Sequence, residues 1–215
     1  HPVAVSVPAS IAVASRLAGF SYAIRNVVAE AKKLEASGRA VRYLNIGDPV
    51  AFGFETPPHL IAAVERAIRN GANGYTPAAG IWEVREAVAA SYSAAGALIE
   101  PDRVILTSGT SEGIELVLSV LVNPGDEVLI PVPTYPLYTA TLAKLDANGV
   151  YYQTDPDRGW MPDLDHIESQ IGPKTRAIVV IDPNNPTGAV YSPEVRSKLI
   201  ELADAHRLVV LADEV

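Results

Sequence analysis

The chain has 215 residues, of which 48% are hydrophobic and 20% are charged; this balance excludes a disordered or fibrous protein and suffices for a large domain. With 17 basic and 25 acidic residues its formal net charge is −8, and it lacks the clustered positive charge that binds nucleic acid or anionic membranes. The absence of cysteine excludes disulfides, thiolate zinc sites and a cysteine nucleophile, and it favours an intracellular protein.

The beginning of the chain does not have the pattern of a targeting segment. His1 to Phe20 contain two prolines and lack the basic stretch that precedes the apolar part of a signal peptide. The longest apolar runs, such as 208–212, are far shorter than the roughly 20 residues that span a bilayer. We therefore expect a soluble, cytoplasmic protein. Because the chain starts with His1-Pro2 instead of Met, we interpret it as a processed or trimmed product.

The first part of the chain predicts three helices separated by loops rich in glycine and proline. Apolar residues recur at helical spacing from Ile24 to Leu34, and Ser37-Gly38 can end that helix. A second helix is predicted after Thr56-Pro57, an N-cap and first-turn pair, and ends at Asn70-Gly71. The third has four apolar residues on one face: Ile81, Val84, Val88 and Tyr92.

From Arg103 onward, short apolar runs alternate with helical stretches. The intervals between the runs fit a repeating strand-helix-strand unit, and unbroken apolar runs are typical of parallel strands covered on both faces. The last linking helix is predicted to have Ser192 as its cap and Pro193 in its first turn. The fold class is therefore α/β, a mostly parallel sheet sandwiched by helices. The five runs begin near Val104, Val128, Val150, Ala177 and Leu208.

The loop after the first run has a composition that suits a phosphate group. Ligands of such sheets bind beyond the carboxyl ends of the strands. Residues 107–111, Thr-Ser-Gly-Thr-Ser, enter a helix whose free N–H groups and dipole favour an anion, although an ordinary helix cap has the same composition. None of the five lysines follows a glycine and no Gly-x-Gly-x-x-Gly occurs, which excludes a Walker loop and a dinucleotide fingerprint.

Three further strand ends have side chains that suit a flat, charged ligand. Tyr135 lies between prolines after the second run, where its ring either faces a heterocycle or packs on the surface. Residues 182–188 follow the fourth run with two asparagines as amide donors, in a pattern that also makes ordinary turns. Asp213 ends the last run, where a carboxylate needs a partner. An anion site, an aromatic ring, an amide donor and a carboxylate together suit a planar phosphorylated pyridine.

Four segments in this order resemble the pyridoxal-phosphate-dependent aminotransferases of fold type I, class I/II: Thr107-Ser-Gly-Thr-Ser111, Pro133-Thr-Tyr-Pro136, Asn184-Asn-Pro-Thr-Gly188 and Ala212-Asp-Glu-Val215. The resemblance extends from about Tyr43 to Val215 and points to the alanine and aspartate aminotransferases. It implies that 1–45 is the N-terminal segment of a small domain and that 46–215 is the large domain, which binds pyridoxal 5′-phosphate and is incomplete at its C-terminus.

Carried over by position, the resemblance implies a site for the cofactor. Gly109, Thr110 and Ser111 would hold the phosphate, with Ser108 adjacent; many relatives have a lysine in place of Ser111. The ring would stack on Tyr135. Its phenolic oxygen would accept a hydrogen bond from Asn185, which also faces the substrate. Asp213 would pair with the pyridine N–H, keeping the ring protonated as an electron sink.

Two more positions concern the substrate and a second subunit. Gly47 matches the loop residue whose backbone faces the substrate carboxylate. Tyr75 matches the tyrosine that reaches the phosphate of the neighbouring subunit, which implies a homodimer with shared active sites.

The resemblance implies transfer of an amino group between an amino acid, alanine or aspartate, and a 2-oxo acid. That chemistry needs a Schiff-base lysine, which the family has beyond the strand-end aspartate and which we therefore expect beyond Val215. No catalytic residue is expected within this chain, which we interpret as the N-terminal half of such an enzyme, inactive alone.

The histidines lack metal-ligand spacing, so no metal is expected. Two alternatives fit the same cofactor residues: a non-catalytic module that binds or senses pyridoxal phosphate, and a lyase or cyclase of the same fold.

Overall fold

The computed structural model describes residues 14–16, 23–43 and 47–214, with side chains described from Val27 onward in the first helix. Contacts divide the chain into two compact units. We call His1–Val27 with Ile114–Val215 the sheet unit, and Val28–Gly113 the helical unit. The domain boundary predicted between residues 45 and 46 stays a prediction.

The three helices predicted for the first part of the chain are confirmed. They are α1 (Ala23–Ala36), α2 (Pro58–Arg69) and α3 (Trp82–Ala94). The start of α2 is displaced by one residue from the prediction. Pro57, not Thr56, occupies the N-cap position, and Pro58 stands in the first turn, where a missing N–H costs nothing.

The strand predicted from Val104 is wrong: Val104 is extended, but residues 104–106 pair with no strand among the described residues. Their backbone groups have other partners. The Val104 N–H donates to the Pro101 carbonyl, and its own carbonyl accepts from Arg85 Nε at 2.7 Å. The Leu106 N–H donates to the Ala79 carbonyl at 3.0 Å. Because loop and side-chain groups already use these positions, the apolar run does not join a sheet.

The other four predicted strands form one sheet with a short fifth strand. They are β1 (Glu127–Val132), β2 (Asn148–Asp155), β4 (Thr175–Ile181) and β5 (Val209–Asp213), and β3 (Met161–Pro162) pairs antiparallel to β2. The order is β3-β2-β1-β4-β5, and all pairs except β2 with β3 are parallel. The linking helices are α4 (Thr110–Leu121), which starts in the helical unit, α5 (Pro136–Lys144), α6 (Leu164–Gln170) and α7 (Pro193–Ala205).

Alternate residues of the central strands enter two separate core layers. Val128 and Ile130 of β1 belong to a layer with α4 and α5, whereas Leu129 belongs to a layer with α6 and α7. Side chains of adjacent strand residues point to opposite faces, so both faces of this sheet are apolar. The predicted mostly parallel sheet between helices is therefore confirmed. The helix residues buried in these layers are Ile114, Leu118, Tyr138 and Leu142 on one face, and Ile167, Leu199 and Ala203 on the other.

The last linking helix begins as predicted, with a side-chain cap. Ser192 accepts a hydrogen bond from the Val195 N–H, and Pro193 lies in the first turn. Such a cap satisfies one of the N–H groups that the first turn leaves free.

The topology places the carboxyl ends of three neighbouring strands, β1, β4 and β5, at one edge of the sheet. Ile181 at the end of β4 pairs with Asp213 at the end of β5, and the next residue, Asp182, donates its N–H to the Asp213 carbonyl at 3.0 Å. This edge is where parallel sheets bind ligands.

Candidate active site

The Asp213 carboxylate has one fixed partner in the sheet unit. The hydroxyl of Tyr138 on α5 donates to Asp213 Oδ2 over 2.8 Å. Tyr138 is only 2% exposed, whereas Asp213 is half-buried. No described residue hydrogen-bonds to the other oxygen, Oδ1. One side of the carboxylate is therefore held by protein, and the other can accept a hydrogen bond from a ligand.

Burial raises the pKa of the Tyr138 hydroxyl far above its ordinary value, and the hydrogen bond to Asp213 raises it further. The hydroxyl therefore remains a donor at any physiological pH. Tyr135, one turn earlier, is partly buried against the same core layer and forms the N-cap position of α5. The aromatic residue predicted to stack on a ring thus lies in the same part of the sheet unit as the predicted carboxylate.

Asn184 is the centre of the loop that follows β4. Its Oδ1 accepts from both the N–H and the hydroxyl of Thr187, at 3.2 and 2.8 Å. Its backbone N–H donates to Ala189, and its carbonyl accepts from Gly188. The side chain is 5% exposed, and its Nδ2 has no hydrogen-bond partner among the described residues. These bonds close residues 184–189 into one compact turn.

Asn185, the predicted donor to a ring oxygen, lies in this turn and is half-buried. No described residue hydrogen-bonds to its side chain, so its amide is free to donate. The turn is tied to α7 by Asp182, whose carboxylate accepts from the Tyr191 N–H at 3.1 Å and from Arg196 Nε at 2.7 Å. The Asp182 side chain is 9% exposed. Its bond from Tyr191 ties the start of the loop to its end, and the ion pair with Arg196 ties the loop to α7.

The predicted phosphate residues, 108–111, form one exposed turn that enters α4 in the helical unit. Gly109 has φ +78°, a conformation that favours glycine, and Thr110 begins the helix. The Ser108 N–H already donates to the carboxylate of Glu112. The N–H groups of Thr110 and Ser111 have no intrahelical partner by their position. These two N–H groups are therefore free to donate, whereas the Ser108 N–H is occupied by the Glu112 carboxylate.

The other two predicted contacts also lie in the helical unit and are exposed. Tyr75 has 110% of the reference exposure of a tyrosine and makes no described side-chain hydrogen bond. Gly47 is exposed, and a Cβ built there would meet no atom within 4 Å. No described residue of the helical unit covers either position.

The lysines of the sheet unit lie away from the carboxyl edge of the sheet. Lys174 directly precedes β4, at the amino edge, and Lys144 ends α5, which runs back toward that edge. Lys144 also pairs with Glu115 at 3.0 Å. Lys198 is exposed within α7. Lys32 and Lys33 belong to α1 in the other unit.

The sequence-predicted ring contacts thus come together in the sheet unit: Tyr135, Asn185 and Asp213 follow or end three neighbouring strands. The predicted phosphate contacts come together in one turn of the helical unit. Sequence reasoning missed Tyr138, and it named both asparagines after the fourth run without separating the role of Asn184 from that of Asn185. The position of Tyr138, one helical turn after Tyr135 on the inward face, is the signal that could have indicated a partner for a strand-end carboxylate.

These residues fit pyridoxal 5′-phosphate by their chemistry. The sheet unit offers a carboxylate with one free oxygen, an unpaired amide and an aromatic ring, which match a pyridine nitrogen, a phenolic oxygen and a ring face. The helical unit, taken by itself, offers a helix start with a left-handed glycine, which matches a phosphate. The described residues contain no group of three side chains suited to a metal ion. No helix in the described part of the chain is both long and apolar enough to cross a membrane.

Aminotransferases are among the known proteins that are similar to this chain. The chain is 41% identical over 203 residues to glutamate-pyruvate aminotransferase AlaA of Escherichia coli, covering 94% of this chain and 50% of that protein. It is 41% identical over 209 residues to the alanine aminotransferase of Mycobacterium tuberculosis, covering 96% and 48%. The chain therefore spans about half the length of the curated relatives that it matches.

A solved structure with the same fold is the alanine aminotransferase from Pyrococcus furiosus, with a TM-score of 0.89, 38% identity, and coverage of 94% of this chain and 51% of that one. The fold expected from the resemblance is thereby confirmed. The profile of the family described as aminotransferase class I and II matches residues 41–215. The chain therefore belongs to the class I and II aminotransferases, whose cofactor is pyridoxal 5′-phosphate.

Proposed function

We propose that this chain binds pyridoxal 5′-phosphate and contributes its site to an enzyme that transfers an amino group between an amino acid and a 2-oxo acid. The observation that carries the proposal is the half-buried Asp213 carboxylate at the carboxyl edge of the sheet, held on one side by Tyr138 at 2.8 Å. When bound, the cofactor supplies a protonated ring that withdraws electrons from the substrate carbon. Asp213 holds the proton at the ring nitrogen by its negative charge.

The remaining contacts are assigned by residue type and position. In the sheet unit, Tyr135 packs on the ring face and Asn185 donates its free amide to the phenolic oxygen. In the helical unit, residues 108–111 bind the phosphate through backbone N–H groups and hydroxyls, and Gly47 faces the substrate carboxylate. These assignments are supported by the exposure of the turn and by the unpaired Asn185 amide.

Alanine is proposed as the amino donor, with aspartate as the second choice. The names of the relatives, glutamate-pyruvate aminotransferase and alanine aminotransferase, support this order. A homodimer with shared sites is proposed from Tyr75, whose side chain is fully exposed and is assigned to the phosphate of the neighbouring subunit.

The 215-residue chain alone is proposed to be inactive as a transaminase. Proton transfer at the substrate carbon needs an amine beside the bound ring. The three lysines of the sheet unit are at its amino edge or on exposed helix surface, which supports the absence of that amine from this chain.

The proposal is tested by a transamination assay, with alanine and 2-oxoglutarate, on the protein expressed from its complete coding region. Asp213→Ala is expected to reduce kcat/KM by roughly 100-fold or more, because the charge that stabilises the protonated ring is lost. The control is His166→Ala, at a half-buried residue of α6 whose Nδ1 accepts only a weak bond from the Gln153 N–H at 3.3 Å. Similar losses in the two variants would contradict the role of Asp213.

A further inference from the structure

The hydrogen bond between Tyr138 and Asp213 connects a buried helix residue to a strand end 75 positions away in the sequence. Tyr138 belongs to the first turns of α5, whose start is fixed by Pro136. Its ring is packed in the core layer that β1 and β4 form with α4 and α5. The hydroxyl is thus held in place by the packing of its ring.

The bond uses one carboxylate oxygen and leaves the other. A tyrosine hydroxyl has one proton to donate, and here it goes to Oδ2. The carboxylate is half-buried, and no described residue donates to Oδ1. Rotation about the bond between Cβ and Cγ of Asp213 would break the bond to Tyr138 and leave its nearly buried hydroxyl unpaired, which is costly.

We propose that Tyr138 is a positioning residue that fixes the Asp213 carboxylate so that Oδ1 faces the ring nitrogen of the cofactor. This inference rests on the proposed function, since it assigns the partner of Oδ1. Burial keeps the hydroxyl protonated, so the donor is present throughout the working pH range. A donor to a carboxylate makes a charge-assisted bond, stronger than a bond between neutral groups.

A purely structural role for Tyr138 makes a different prediction. If the hydroxyl only satisfied a buried carboxylate, its loss would weaken binding of every ligand of the site by the same factor. If it aims Oδ1 at the ring nitrogen, its loss weakens only ligands that have that nitrogen. The difference is measurable with pyridoxal 5′-phosphate and its carbocyclic analogue, in which CH replaces the ring nitrogen.

The experiment measures the dissociation constants of both ligands by equilibrium titration of the cofactor-free protein, expressed from its complete coding region. Selectivity is the constant for the analogue divided by that for pyridoxal 5′-phosphate. Tyr138→Phe is expected to lower selectivity about tenfold, the scale of one charge-assisted bond, with little change in analogue binding. The matched control is Tyr152→Phe, which removes another buried hydroxyl with a 2.8 Å bond, to the Val179 carbonyl, and is expected to leave selectivity unchanged.

Two further variants, Asp213→Asn and its combination with Tyr138→Phe, distinguish a failure of the proposed function from a failure of the role of Tyr138. Asp213→Asn is expected to abolish selectivity, and adding Tyr138→Phe to it should have no additional effect. Wild-type protein without selectivity would overturn the proposed function itself. Selectivity that is lost in Asp213→Asn but retained in Tyr138→Phe would overturn only the role of Tyr138.

A variant with 4-aminophenylalanine at position 138 shows whether a loss of selectivity in Tyr138→Phe comes from the missing donor or from a folding defect. Its amine occupies the place of the hydroxyl and still donates, so selectivity is expected to stay near that of the wild type. Selectivity well below the wild-type value in this folded variant would overturn the proposal.

Discussion

Asp213 and the two asparagines after β4 obtain their proposed roles from their hydrogen-bond partners. Tyr138 occupies one oxygen of Asp213 and leaves the other for a ligand. Asn184 uses its Oδ1 and both backbone groups within its own turn, whereas the side chain of its neighbour Asn185 has no described partner. The two adjacent asparagines therefore differ: the hydrogen bonds of Asn184 stabilise the turn, and the turn leaves the side chain of Asn185 without a described partner.

This division predicts that two alanine substitutions have different effects: one lowers the stability of the cofactor-free protein, and the other weakens binding of the cofactor. Asn184→Ala removes an acceptor for two bonds and leaves the Thr187 N–H without a partner, so it is expected to lower the free energy of unfolding by about 1–3 kcal/mol. Asn185→Ala is expected to change stability by less than about 0.5 kcal/mol while weakening binding of pyridoxal 5′-phosphate. Urea unfolding and ligand titration measure the two effects. Equal destabilisation by both substitutions would contradict the assignment.

The helices and strands of the sheet unit form two core layers, and both contain buried tyrosines. The apolar pattern of the sequence does not distinguish a buried tyrosine from an exposed one. Tyr138 lies on the α5 face, and Tyr152 and Tyr191 lie on the opposite face. The sequence predicted α7 and its Ser192 cap because a local pattern of cap, proline and apolar stripe is sufficient. It failed at Val104, since whether an apolar run joins a sheet depends on distant partners such as Arg85 and Ala79.

Burial of these tyrosines predicts a loss of stability in alkali. It raises the pKa of Tyr152 well above its ordinary value of 10.0 and that of Tyr191 to about 12. Above pH 10 the unfolded chain releases these protons while the folded protein retains them. The free energy of unfolding should therefore be insensitive to these groups below about pH 9 and fall as pH rises above 10, by up to about 1.4 kcal/mol per pH unit for each tyrosine.

Urea unfolding between pH 9 and 11 measures this slope. Tyr152→Phe should make it shallower, even though the lost bond to Val179 lowers stability at every pH. Tyr151→Phe, at the exposed tyrosine one residue earlier in β2, is the matched control and should keep the wild-type slope. Identical slopes in the two variants would show that burial of Tyr152 does not set the alkaline limit.

For the whole molecule, the chain order of the motifs predicted the family, and the spacing of the apolar runs predicted a mostly parallel sheet. The order β3-β2-β1-β4-β5 was not readable from the sequence, because spacing fixes the length of each connection but not the edge to which it leads. That order brings the ends of β1, β4 and β5 together. It therefore explains why Tyr135, Asn185 and Asp213, which are far apart along the chain, serve one proposed ring site.

The central claim is that the ring of pyridoxal 5′-phosphate binds at this edge, with its nitrogen on Asp213. A crystal structure of the protein, expressed from its complete coding region and saturated with the cofactor, tests it most directly. The account predicts that the ring nitrogen lies within hydrogen-bond distance of Asp213 Oδ1, with Oδ2 still bonded to Tyr138. A cofactor ring bound elsewhere, or a ring nitrogen without contact to Asp213, would contradict the account.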